Sequence, residues 1–552
     1  MELIEIFTKK NIEILKLLSK ESLHIRDIAG NLDISPAKVH NTIQLFKKNN
    51  LIKENKEKNK IIISLNKESS LLKEIQNLIN SDNKDVSFEP KMNIFDNISA
   101  LDFRYYGRNE RIFHKLQPYL SENAMIKYMA KVEAALTKTL AKKGVCSKKI
   151  ADEVEKATKK ITAEEVYQEE DKLKHNIRAL VNCIQRKVSD EAKPFVHFTT
   201  TSHDIIATAD AARYKKFTEN VLIPKLIEFE KTLIMLALKE KNTLQVGRTH
   251  GQHAVPITFG FALAQYVSRF GRSIIQIKKT GNNLRGKIAG AVGSYNASSL
   301  FFNNPVEFER DVLSELNLKA SPISTQIPEA EFMSSYIHSI VEGFGVIANL
   351  ADDMRHLQRS EILEVAEVFG AKQVGSSTMP QKRNPINFEN VKSMWKAFMP
   401  RIVTLYMDQI SEHQRDLTNS ASLRFVPEIL TAFYLSVSRL NRTMKNLVVD
   451  KENLRKNFDM NKGLIVAEPL YILLAAKGHP DAHEIVRQLT LKAQSSKKSL
   501  TEIIKKEKSL QPYLKKFNKK QLEIISNPEK YVGIASKKAE SACKFWKKEL
   551  EI

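Results

Sequence analysis

The sequence predicts a mainly α protein, an elongated helical bundle carrying a small N-terminal domain. Three observations predict it. From Leu101 onward the chain is dominated by long amphipathic runs whose apolar residues recur at helical spacing. Strand-like alternation is scarce in the same region. The first 80 residues instead carry short helical patterns that end in a β-branched run. With 42% apolar and 27% charged residues among 552, the composition is globular, which excludes disorder and fibre. No uninterrupted apolar stretch of about 18 residues occurs, so no membrane-spanning helix is expected.

In the N-terminal part, Ile12, Leu15 and Leu18 predict a first helix, and His24–Leu32 a second short one. Ser35 is an N-cap with Pro36 at the first helical position. Val39, Ile43 and Phe46 then form one stripe, leaving Lys38, Asn41, Gln44 and Lys47 on other faces. A Lys-rich turn follows Leu51-Ile52, and then comes Ile61-Ile62-Ile63. This order over residues 1–85 resembles the winged helix-turn-helix family, with "DISPAKVHNTIQLFKKNNLI" as the recognition-helix portion. The resemblance implies DNA contact through Lys38, Asn41, Gln44 and Lys47, with the Lys53–Lys60 wing on phosphates. The same scaffold also serves as a protein-interaction or dimerisation module. Residues 1–90 hold 15 basic against 13 acidic side chains, a weak electrostatic footprint for DNA, so both uses stay open.

Residues 81–93 read as a polar linker. Helical runs then cover Ser121–Lys143, Leu222–Lys239, Thr258–Lys279, Ala330–Phe369 and Phe388–Ile410. Faces too apolar for one bundle favour a homo-oligomer. The expected domains are 1–85, an N-terminal helical domain 86–200, a central long-helix bundle 201–447 and a C-terminal helical domain 448–552. Cys146, Cys183 and Cys543 are too few and scattered for a disulfide framework or zinc cluster. Met1 to Lys10 lacks a secretory apolar core, and a cytoplasmic protein is expected.

Three loops interrupt the helices. Val196-His197-Phe198-Thr199-Thr200-Thr201-Ser202-His203-Asp204 offers hydroxyls and a helix start to an anionic oxygen; taken alone it is more simply an N-cap. Gly247-Arg248-Thr249-His250-Gly251-Gln252-His253 lets backbone approach a ligand between glycines. Gly375-Ser376-Ser377-Thr378-Met379-Pro380-Gln381-Lys382-Arg383-Asn384-Pro385 combines hydroxyls, a cation and an amide, more than turn chemistry requires.

The third loop resembles the signature of the aspartase/fumarase superfamily, whose members expel fumarate by β-elimination. "GRTHGQHAVPITFG", "GKIAGAVGSY" (286–295) and "SPISTQ" (321–326) are similar to other superfamily segments, so the likeness spans roughly Leu101 to the C-terminus. It implies a bundle of the aspartase/fumarase type. Within it, Arg415-Asp416-Leu417-Thr418-Asn419-Ser420-Ala421-Ser422-Leu423-Arg424 resembles the nucleotide-phosphate element of the adenylosuccinate lyase family. Arginine forks and a serine hydroxyl suit phosphate.

The resemblance implies Ser376 as base and His250 as acid, the two catalytic residues. It implies substrate contacts at Arg104, Tyr105, His175, His197, Thr201, Ser202, Thr249, Gln326, Met379, Lys382, Asn384, Arg415, Ser420 and Arg424. It leaves His253 structural. The family reaction releases fumarate and AMP from adenylosuccinate in a homotetramer with shared active sites, without a metal or organic cofactor. Asn176, Gln414 and Thr199 depart from the family's usual Asp, Glu and Gly, which puts substrate preference and rate in doubt. An argininosuccinate or carboxymuconate type member, or a purine-sensing transcription regulator, are the alternatives. The net charge of +23 fits an anionic partner; residues 486–552 hold 17 basic and 7 acidic side chains.

Overall fold

The computed structural model describes residues 8–57, 60–72, 97–370 and 374–552. The expected linker over 81–93 and the 85/86 boundary lie outside the described residues. The chain divides into two compact units, Met1–Asn93 and Ile94–Ile552.

The first unit contains α1 (Lys9–Lys20), β1 (Leu23–His24), α2 (Ile25–Leu32), α3 (Pro36–Lys48), β2 (Ile52–Glu57) and β3 (Lys60–Leu65). The sheet is antiparallel in the order β1-β3-β2, and β2 and β3 pair from Ile52 opposite Leu65 to Glu57 opposite Lys60. Helix α3 starts where its sequence says, because Ser35 Oγ accepts from Lys38 N at 3.3 Å and Pro36 needs no N–H partner. Val39, Ile43 and Phe46 are fully buried with Ile14, Leu15, Leu18, Ile28 and Ile63 in a separate core. Lys38, Asn41 and Gln44 remain exposed on α3. Lys47 is paired to Glu54 of β2 at 2.5 Å, so its charge is partly offset.

The second unit is built on long helices: α4 (Glu122–Lys142), α5 (Ser202–Phe217), α6 (Ile223–Lys239), α7 (Phe259–Asn282), α8 (Glu331–Leu357), α9 (Ile386–Phe398) and α10 (Val426–Lys445). Helix α6 packs on α7, α7 on α8, α8 on α9, α9 on α10, and α10 back on α6, closing a bundle. Its core holds Phe229 against Phe270 (ring centroids 5.2 Å apart) and Phe344 against Phe433 (5.5 Å). Each such ring contributes about 2–3 kcal/mol by burial. Two further helices bear on the site or the bundle: α11 (Lys451–Ile465) and α12 (Ala535–Glu549). Trp546 of α12 lies so close over Gly271 that a β-carbon there would sit 2.4 Å from the indole.

Two expected helices are corrected. The run Ala330–Phe369 stops at Leu357, although Ile362, Leu363 and Val365 continue the apolar pattern. The chain turns there, with Leu363 at φ 50°, and forms β8 (Val365–Ala366), which pairs with β9 (Val448–Val449). The run Phe388–Ile410 breaks at Pro400, whose missing N–H leaves a 3₁₀ turn over Met399–Arg401 before Ile402–Met407. The other short sheets are the hairpin β4 (Leu244–Thr249) and β5 (Gln252–Thr258), and the pair β6 (Arg285–Gly286) and β7 (Lys319–Ala320). Among the described residues, no helix is long and apolar enough to cross a membrane.

Candidate active site

His250 sits at the tip of the β4–β5 hairpin. A two-residue hairpin turn needs left-handed backbone twice, and His250 (φ 55°) with Gly251 (φ 74°) supplies it. The base of the hairpin is fixed by one carboxylate. Arg248 grips Glu364 with both forks (Nη2–Oε1 2.5 Å, Nη1–Oε2 3.2 Å), and Gln245 and Asn457 donate to the same group at 2.7 and 2.9 Å. Glu364 is fully buried. Thr249 and His250 are therefore exposed on a rigid support. His253 accepts from Asn461 of α11 at 3.0 Å, and burial, then Arg248, push its pKa down; it holds the hairpin as a neutral ring.

The hydroxyl-rich loop enters α5. Thr201 N donates to Asp204 Oδ2 at 2.8 Å, which caps the helix start at Ser202. Asp204 is paired with Lys287 at 2.5 Å, both fully buried, and accepts from Ala289 N at 3.0 Å. The segment 286–295 is thus wrapped onto the start of α5. His197 Nδ1 lies 2.8 Å from Glu133 Oε1, and His197 N donates to Glu133 Oε2 at 2.9 Å. Burial alone would lower the His197 pKa, but the fully buried Glu133 carboxylate outweighs it and raises it. His197 and Thr199 both adopt left-handed backbone (φ 63° and 62°), and the Thr199 hydroxyl is buried without a partner. A β-branched residue is strained there, so the glycine expected at position 199 has a physical reason. His175 caps the helix Asn176–Gln185, its Nδ1 accepting from Arg178 N at 3.2 Å, which puts a neutral ring's proton on Nε2.

The loop after Gly375 is pinched at its ends. Asn384 Nδ2 donates to Gly375 O at 3.0 Å, and a β-carbon on Gly375 would lie 1.9 Å from Lys382 O. Ser376 Oγ accepts from Met379 N at 3.0 Å and Thr378 N at 3.3 Å. The loop's amides therefore point at the serine oxygen and favour its anion. Lys382 and Met379 are exposed. Glu367, largely buried, anchors the loop's exit by accepting from Asn387 N and Phe388 N at 2.9 Å each, which caps α9.

Arg415 is the most constrained of the expected phosphate ligands. Its backbone is left-handed at φ 126°, one guanidinium nitrogen donates to Asp408 O at 2.9 Å, and Nε and Nη2 are buried without partners. Gln326 N donates to Gln414 O at 3.2 Å, so Gln326 and the Arg415 segment meet. Ser420 and Arg424 are exposed. Arg104 and Tyr105 lie in a π-helical turn, Leu101–Tyr106, and Asn390 of α9 donates to the Tyr105 hydroxyl at 3.1 Å. Among the described residues, no hydrogen bond or ion pair joins His250 to Ser376, or either to Arg424.

Residues 103–398 match the family described as "Lyase", and residues 411–532 that described as "Adenylosuccinate lyase C-terminal". An adenylosuccinate lyase of Archaeoglobus fulgidus is 34% identical over 453 residues, 81% of this chain and 98% of that protein. The chain belongs to the adenylosuccinate lyase family. A Pyrococcus horikoshii adenylosuccinate lyase is likewise 34% identical, over 79% of this chain and 95% of that one. A fumarate lyase from Mesorhizobium sp. BNC1 superposes with TM-score 0.69 at 22% identity, covering 78% and 97% of the two chains. The 3-carboxy-cis,cis-muconate lactonizing enzyme from Pseudomonas putida gives 0.70 at 21%, covering 83% and 100%. Both share the fold. As an adenylosuccinate lyase family member the chain is a C–N lyase, and its first unit lies outside both matched segments.

Reasoning from sequence missed Glu133, Glu364 and Glu367. Each is a buried carboxylate that holds a site element, and nothing local marks it among the many acidic residues of helical runs.

Proposed function

We propose that this chain eliminates fumarate from adenylosuccinate to leave AMP, and acts in the same way on the succinylated aminoimidazole-carboxamide ribotide. The observation that carries the reading is Arg415. Two of its donors are buried and unpartnered on a strained backbone, as a site awaiting an anion requires. With Ser420 and Arg424 it takes the nucleotide phosphate, a group absent from argininosuccinate and carboxymuconate.

The succinyl group carries a weakly acidic C–H beside a carboxylate. Ser376, as the alkoxide that the two amides on its Oγ stabilise, takes that proton and becomes the neutral hydroxyl. The resulting dianion is stabilised by Lys382 and by the remaining capacity of Asn384. The C–N bond then breaks, the purine nitrogen takes a proton from His250, and fumarate leaves. His197, whose pKa Glu133 raises, meets the substrate's negative charge together with Thr201 and Ser202. His175, Thr249, Gln326, Met379, Arg104 and Tyr105 complete the contacts.

The exposed tips of the His250 hairpin and the Ser376 loop meet between subunits of a homotetramer in this reading. Val403, Met407 and Ile410, more than half exposed in one chain, fit burial by a partner. The first unit is a winged helix, and its exposed Lys38, Asn41 and Gln44 face DNA. The setting is cytoplasmic.

Release of fumarate from adenylosuccinate by the purified chain, followed by absorbance, tests the reaction. Ser376→Ala is expected to lower kcat by about 10³-fold or more. Absence of fumarate with the unaltered protein at saturating substrate would overturn it.

A further inference from the structure

The charge excess of the C-terminal part is concentrated in one stretch. Residues 505–520 hold seven lysines against one acid, Glu507. Lysine is common throughout the chain, but other stretches interleave it with acids: residues 148–160 hold five lysines and three acids. Over residues 1–90, 15 basic side chains meet 13 acidic ones. A compositional preference for lysine would raise all three stretches alike, so the excess over 505–520 belongs to that place.

The stretch is folded and is not a charged tail. It runs from the end of the helix Leu500–Lys506 through Gln511–Leu514 into the helix Lys519–Ser526. Ile504, Leu510, Phe517 and Ile525 are buried there in a core shared with Val486 and Leu489. Gln511 Nε2 donates to Lys505 O and to Glu507 O at 3.3 Å each, which ties consecutive segments together. Glu507 is itself engaged, accepting from Ser509 N at 3.3 Å and from its hydroxyl at 2.7 Å. All seven lysines are exposed. Lys505 and Lys519 line one groove of about 460 Å³ together with Ile504, Leu514 and Ile525. Lys519 and Lys520 stand in the first turn of their helix, where the dipole disfavours cations. Holding seven ammonium groups on so small a lobe costs self-repulsion, which a polyanion laid across it reverses while releasing its own counterions.

The first unit indicates which polyanion. The exposed Asn41 and Gln44 of α3 carry carboxamides that suit base edges, but the unit's small charge excess brings little of the phosphate term that dominates affinity. The lysine lobe has the complementary endowment. We propose that the lobe over residues 505–520 is a second DNA contact of this chain, holding the phosphate backbone of a duplex irrespective of sequence through Lys505, Lys508, Lys515 and Lys519. It rests on the winged-helix reading only for the choice of DNA as the polyanion.

The test is fluorescence anisotropy of a labelled random-sequence duplex with the full chain across a salt series. A lobe variant carries Lys505→Gln, Lys508→Gln, Lys515→Gln and Lys519→Gln, all at exposed positions. A control variant carries Lys148→Gln, Lys149→Gln, Lys156→Gln and Lys160→Gln, also exposed, for the same loss of charge. The parent is expected to bind with an affinity that falls steeply as salt rises. The lobe variant should bind at least about tenfold more weakly, with a log–log salt slope shallower by about 3, and the control should match the parent. Relief of self-repulsion keeps the lobe variant's thermal midpoint at or above the parent's. Parent-like binding by the lobe variant, or an equal loss in the control, would overturn the proposal. Tighter binding of single-stranded RNA of the same length, or of vesicles rich in anionic lipid, would overturn the assignment to duplex DNA. A third variant, Asn41→Ala with Gln44→Ala, separates the two readings. If it loses binding and the lobe variant does not, the winged helix alone holds DNA and the lobe fails. If only the lobe variant loses binding, the lobe stands and the winged-helix reading fails.

Discussion

Arg248 and Arg415 both sit in loops of the lyase unit, and the fold treats them oppositely. Arg248 has a fully buried carboxylate of its own, Glu364, which also collects Gln245 and Asn457. Arg415 has one carbonyl, a left-handed backbone and two buried donors with nothing to bind. The difference teaches how to read cations in this chain. A cation of the scaffold such as Arg248 takes a buried acid, whereas Arg415 is left open, as its proposed phosphate role requires.

The largest effect should come from removing the scaffold's acid. Glu364→Gln leaves Arg248 half-buried without a counter-charge, a loss of about 3–5 kcal/mol. Urea denaturation measures it, and turnover should fall with stability because His250 loses its support. Wild-type stability in this variant would break the comparison. Arg415→Gln should do the reverse. Its urea midpoint should change little, since two unsatisfied buried donors are removed with the charge. The KM for adenylosuccinate should rise roughly a hundredfold through loss of a charge-assisted contact. A destabilisation matching that of Glu364→Gln would show that Arg415 also belongs to the scaffold.

The same contrast explains what the sequence disclosed. The loops carrying His250, Ser376 and Arg415 were legible as short segments of unusual composition between helical runs. Helix α3 was legible because Ser35 and Pro36 act locally. Their supports were not legible. Glu133 lies 64 positions from His197 and Glu364 lies 116 from Arg248, each inside an amphipathic pattern where an acid reads as a solvated face. The end of α8 was hidden for a related reason: Ile362 and Leu363 keep the helical apolar spacing, while tertiary pairing of β8 with β9 redirects the backbone.

A smaller effect tests the pair between His197 and Glu133. The His197 pKa in the fold lies above its ordinary value of 6.5, against the pull of burial and because of Glu133. The sign follows: the pair's stabilisation is complete below about pH 6.5 and is lost as pH rises through the raised pKa. Glu133→Gln should therefore be destabilised most below the ordinary His value of 6.5, and the gap to the parent should narrow as pH rises through the raised pKa. Urea midpoints across that range measure it. A gap that stays constant would mean that His197 is neutral in the fold and serves the scaffold alone.

The smallest change should be a gain. Thr199 combines a left-handed backbone with a buried, unpartnered hydroxyl, so it carries two separate costs. Thr199→Gly removes both, relieving about 1–2 kcal/mol of backbone strain against a glycine entropy penalty of about 0.5–1 kcal/mol. The urea midpoint should rise modestly. Thr199→Ala separates the terms, because it deletes the hydroxyl and keeps most of the strain. If alanine stabilises as much as glycine, the unsatisfied hydroxyl dominates, and position 199 resembles Arg415 in holding a donor open. If only glycine stabilises, the cost is conformational, and the loop holds His197 in place through its backbone.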